Sequence, residues 1–166
     1  MTDNCDKPDP LSICINQQAE LEFDINKLTS LIKSVCRRFD AAAAQISVTI
    51  LDDENMRSQN KKFLKHDYVT DVISFDLTES GDRQKFFDIM VNGQMAFSQA
   101  AGREHSPDAE LALYITHGLL HNLGFDDDSE KNSRLMHQTE DAILSENGFG
   151  SVYSSTSRQS IRENAD

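Results

Sequence analysis

The stretch "SPDAELALYITHGLLHNLGFDDD", Ser106 to Asp128, constrains the fold more than any other part of the chain. Ser106 is a good N-cap and Pro107 suits the first helical position, where its missing N–H costs nothing. Gly124 is a natural left-handed stop. The expected helix therefore runs from Pro107 to Leu123. It carries His117 and His121 four residues apart, so both imidazoles leave the same face one turn apart.

A helix of this kind needs a partner layer, and the rest of the chain supplies strands and helices in a mixed order. "LSICINQ" (residues 11–17), "ISVTIL" (46–51), "TDVISFDL" (70–77) and "FFDIMVN" (86–92) read as strands by alternation and β-branching. Apolar residues at Ile25, Leu28, Leu31, Ile32, Val35 and Phe39 have helical spacing, with Asp24 as N-cap. Residues 52–66, about 95–104 and about 129–146 are also expected to be helical. The pattern implies an α+β fold: one small mixed sheet of about four strands packed with about five helices.

At 166 residues the chain is long enough for one domain with a real core. Its expected extent is residues 11–150, with a flexible arm at 1–10 and a polar, serine-rich disordered tail at 151–166. No run approaches 18 apolar residues, so no membrane partner is expected. The first twenty residues lack a basic start followed by an apolar run, so no secretory signal is expected. Cys5, Cys14 and Cys36 are odd in number and lack CxxC spacing, which fits reduced thiols in a cytoplasmic protein.

The net charge of −12 opposes a nucleic-acid partner, because phosphate neutralisation supplies much of such affinity. One local basic group, Arg57, Lys61, Lys62 and Lys65, has spacings that let most of its members share a helix face. A solvated surface is the ordinary reading of such a group.

Two histidines at i and i+4 are the device by which zincins grip zinc, leaving a third ligand to come from elsewhere. The ordinary alternative is a pair of partly buried histidines on an amphipathic helix. Protease zincins place a glutamate general base directly after the first histidine. Here that position is Gly118, so a metalloprotease is a poor match.

"HGLLHNLGFDD" resembles the signature of the YbeY family of zinc-dependent endoribonucleases. "NKKFLKHDYVTDVISF" (60–75) is similar to the family's second conserved block, retaining Asn60, Phe63, Asp67, Thr70, Asp71, Val72, Ser74 and Phe75. "DIMVNGQMAFSQA" and "HSPDAELALYITHG" follow in family order. Met136 and Glu140 sit where the family's last helix carries such residues. The resemblance covers approximately residues 11 to 150.

It implies one zinc ion, single-stranded RNA as substrate, and a role in small-subunit rRNA processing and ribosome quality control. It places the third zinc ligand on Asp127, where the family has histidine; carboxylate oxygen binds zinc at about 2.0–2.2 Å. Leu64 stands where the family has an arginine thought to serve cleavage, which leaves Lys61 or Lys65 as candidate phosphate contacts. Phe87 replaces a glycine and Val69 a proline. Asp71 is a candidate to orient a metal histidine, or else a turn cap. His105 is expected to pack or cap, and His66 and His137 to be exposed. Two other readings stay open: an RNA-binding ribosome-assembly factor without cleavage, and a metal hydrolase of a non-RNA substrate.

Overall fold

Leu111, Leu113, Ile115, Leu119 and Leu120 point to different sides of one helix, and all are buried. A helix that is apolar all round must be enclosed on every side. In the computed structural model, which describes residues 10–153, this helix (α4, Pro107–Asn122) is the central element. It packs against two strands and three other helices.

The order of elements is β1 (Leu11–Gln17), α1 (Ile25–Arg38), β2 (Ala44–Leu51), α2 (Asp53–Leu64), β3 (Val72–Asp76), β4 (Lys85–Asn92), α3 (Gly93–Ala101), α4 and α5 (Glu130–Glu146). The strands form one mixed sheet in the order β1-β2-β4-β3. β1 and β4 run parallel to β2, with Ile13 opposite Ile46 and Val48 opposite Ile89. β3 runs antiparallel to β4. The expected α+β architecture, four strands and five helices, is the one found.

Side-chain alternation sets the layers. Ile46, Val48 and Ile50 of β2, with Phe87, Ile89 and Val91 of β4, face the main core beneath α4 and α1. Phe87 adds its ring to that core. On the opposite face Met90 joins Leu51, Ile73, Phe75 and Met56 of α2 in a smaller cluster.

Local chemistry fixes the helix starts. Asp24, Asp52, Ser106 and Ser129 each accept a backbone N–H of the first helical turn. Gly124 has φ +98 and closes the turn after α4 as expected. Helix α3 begins at Gly93 instead of Met95, because Asn92 caps it directly from the end of β4. A Cβ at Gly93 would lie 2.8 Å from Ile50 Cγ2, so this abrupt strand-to-helix turn requires glycine.

At Gly118 α4 packs closely against the sheet. A Cβ there would meet Ile89 Cγ2 and Val72 Cγ2 at 3.2 Å and Ser74 Cβ at 3.3 Å. We expect Gly118→Ala to destabilise the fold by about 1–3 kcal/mol through overpacking. A thermal melt checks this; an unchanged or higher midpoint would show that the sheet yields freely.

Folded structure extends past the expected boundary at 150. Ser151, Val152 and Tyr153, grouped by composition with a tail, are fixed on α5. Asp141 accepts the Val152 and Tyr153 N–H groups at 2.8 and 3.0 Å and the Ser151 hydroxyl at 2.8 Å. Val152 is buried in the core. The expected arm at 1–9 and tail at 154–166 lie outside the described residues. Among the described residues no helix is long and apolar enough to cross a membrane.

Candidate metal centre

His117 Nε2 and His121 Nε2 lie 3.0 Å apart near the end of α4. The turn after Gly124 brings Asp127 Oδ2 to 4.0 Å from the first and 3.7 Å from the second. Zinc bonds of about 2.0–2.2 Å in a tetrahedron give donor-to-donor edges of roughly 3.3–3.6 Å. The three atoms bracket that range, so side-chain adjustments of a few tenths of an ångström would seat an ion.

The hydrogen bonds on the far sides of the rings decide what the facing nitrogens can do. His121 Nδ1 lies 3.2 Å from the Phe125 carbonyl oxygen, which only accepts, so Nδ1 carries the proton. His117 Nδ1 lies 2.7 Å from Glu140 Oε1 and donates to that carboxylate. In the neutral rings both Nε2 atoms therefore present lone pairs to one small space. Two lone pairs at that distance repel unless a cation or a shared proton lies between them. The donor set fits a metal ion.

The run of three aspartates divides its work. Asp126 Oδ1 accepts the Asp127 N–H at 2.8 Å, and Asp128 Oδ1 accepts from Asn132 Nδ2 at 2.7 Å. Those bonds shape the turn and leave the Asp127 carboxylate to face the histidines.

Glu140 is the residue that sequence reading left without a role. It is fully buried on α5 and holds His117 from behind. Burial alone would push the His117 imidazole down. The hydrogen bond and charge of Glu140, helped by Asp71 and Asp127, outweigh it and hold the pKa above the ordinary histidine value. The available signal was an acid lying between Met136 and Ile143 in the buried stripe of α5.

Asp71, the expected orienting residue, does not bond a histidine. Its Oδ1 accepts from Val72 N–H at 2.8 Å and from the Thr70 hydroxyl at 3.3 Å, a cap at the entrance to β3. Lys61 pairs with Asp67 at 3.3 Å, as does Arg57 at 2.8 Å, and Lys65 Nζ reaches the Lys62 carbonyl at 3.4 Å. Leu64 is exposed at the end of α2.

A cleft of about 330 Å³ opens beside His117, walled by Asp71, Arg103, Glu110, Tyr114 and Tyr153. None of the α2 cations lines it; among the described residues its one cationic wall residue is Arg103, which sequence reading missed. His105 is packed, as expected, with Nε2 bonded to Glu110. His66 is exposed, but His137 is half-buried, its ring stacked 4.0 Å from that of Tyr153. Gly118 faces the sheet, so a glutamate could not stand there as a general base.

An α+β fold whose central helix presents paired histidines to a carboxylate-bearing turn is an arrangement that can hold a metal ion. The sequence model of the family described as Endoribonuclease YbeY matches residues 13–148. A protein of Carboxydothermus hydrogenoformans named Endoribonuclease YbeY is 30% identical over 136 residues, spanning 81% of this chain and 95% of that protein. One of the same name from Fusobacterium nucleatum is 35% identical over 135 residues, 76% of this chain and 83% of its own. The solution structure of TM1509 from Thermotoga maritima superposes with TM-score 0.54 at 19% identity, covering 82% of this chain and 90% of that one, a likeness of fold. The chain belongs to the YbeY family.

Proposed function

We propose that this protein is a metal-dependent endoribonuclease that cleaves single-stranded RNA, acting in small-subunit rRNA processing and ribosome quality control in the cytoplasm. One zinc ion held by His117, His121 and Asp127 is its cofactor. The carrying observation is the convergence of two Nε2 lone pairs on the Asp127 carboxylate, with both Nδ1 protons committed elsewhere. Membership of the YbeY family favours this over the non-cleaving and non-RNA readings.

A zinc ion bound there supplies Lewis acidity toward a phosphoryl oxygen and activates a water. The chain's own groups set the conditions. Glu140 fixes the His117 ring and strengthens Nε2 as a donor. Asp127 brings a negative charge, so the centre is less cationic than three imidazoles would make it. The adjoining cleft gives a strand room beside the site.

Zinc at a hundred times its Kd should stabilise the protein by about 2.7 kcal/mol, visible as a raised melting temperature that a chelator reverses. Cleavage of a single-stranded RNA should follow the same loss and recovery. Cleavage that persists after complete metal removal, or none by zinc-loaded protein, would sink the reading.

A further inference from the structure

The geometry points to Arg103 as the anchor for a phosphate that flanks the scissile bond, on a single strand of RNA lying along α4. This rests on the endoribonuclease reading above. Glu110, Tyr114, His117 and His121 follow one another at spacings of four, three and four, so they form a row on one face of α4. Glu110 and His117 are seven residues apart, about 10 Å along the axis. Arg103 stands on the first of them and the candidate metal on the second. A phosphate held at Arg103 is thus a neighbour of the one being cleaved.

The guanidinium is held in place. Its Nη1 bonds both carboxylate oxygens of Glu110, at 3.1 and 3.3 Å. Glu110 is itself only 2% exposed and also receives His105, and the Tyr114 phenol lies against it. No bond among the described residues uses Arg103 Nε or Nη2, and its side chain is 40% exposed to the cleft. A fixed guanidinium with unused donors suits bidentate phosphate recognition. Asp71, another wall residue of the cleft, repels phosphate, which leaves Arg103 as the cationic anchor among the described lining residues. In a chain of net charge −12 there is little general attraction for RNA, so a single fixed cation has a large share of the contact.

The test uses the full chain and a labelled single-stranded RNA oligonucleotide, bound in the presence of chelator so that cleavage does not intervene. Arg103→Gln should weaken binding about tenfold and lower the slope of log affinity against log salt by about 0.7, one phosphate contact. Zinc affinity should not change. Arg103→Lys should keep the salt slope and recover only part of the affinity, because the planar fork is lost. Since Arg103→Gln leaves the Glu110 carboxylate short of a partner, the Arg103→Gln, Glu110→Gln pair should show the same binding loss without a stranded charge. Wild-type binding that Arg103→Gln and the double variant leave unaltered overturns the anchor alone. Wild-type protein that neither binds nor cleaves the oligonucleotide overturns the RNA reading and the anchor with it.

Discussion

Asp127→Ala should lower zinc affinity by on the order of a hundredfold or more while hardly changing the stability of the metal-free protein. The two effects separate because the residue is half exposed on a turn and its Oδ2 faces the two Nε2 atoms at 4.0 and 3.7 Å. Two imidazoles without a third ligand hold zinc weakly. A substitution at an exposed turn usually moves stability by no more than about 0.5 kcal/mol. Asp127→His should go the other way, because a neutral third ligand leaves the ion more cationic and lowers the pKa of its water. Competition with a chelator of known affinity, run beside a thermal melt without metal, measures both quantities. Equal zinc affinity in wild type and Asp127→Ala would remove this carboxylate from the site.

Glu140→Gln should cost about 10–100-fold in zinc affinity, the usual penalty for losing the charged partner of a metal histidine. Glutamine keeps the shape and one oxygen that can accept from His117 Nδ1, so the ring can stay where it is. What disappears is the negative charge 2.7 Å behind it, which makes Nε2 a better donor. Glu140→Leu should add a stability loss of about 1–3 kcal/mol, since the Nδ1–H would be left buried without an acceptor. The contrast with Asp127 is diagnostic: one variant touches metal affinity alone, the other affinity and fold together. Zinc affinity in Glu140→Gln within twofold of wild type would reduce Glu140 to a packing residue.

Elements whose signals are local were legible in the sequence. Ser106, Pro107 and Gly124 bound α4 because caps and left-handed stops act over a few residues. His117 and His121 share a face by helical geometry alone. Asp127 needed the family resemblance, since nothing in "FDDD" says which aspartate turns inward; the bonds made by Asp126 and Asp128 settle that only in three dimensions. Long-range pairs were hidden. Glu140 is 23 residues from His117, and its role depends on how α5 crosses α4. Arg103 sits in a short connection whose direction depends on α3 docking beside α4. The α2 cations are a different case. Spacing groups them correctly on a helix, but Asp67 engages Arg57 and Lys61, and the cleft lies elsewhere. Residues 151–153 misled through composition, because a serine-rich segment can still be tied down by one acid, Asp141.

Gly118 lets α4 pack closely against the side chains of Val72 and Ser74 of β3 and Ile89 of β4, and that sets the character of the donor set. The imidazole pair stands on an enclosed helix whose position the sheet dictates, whereas Asp127 rides on an exposed turn. For an ion held there, the scaffold fixes the location and the turn governs the traffic. Release of such an ion would need only the Asp127 carboxylate to swing away, with no rearrangement of the core, so exchange would be tuned at residues 124–128 independently of the geometry of the histidine pair.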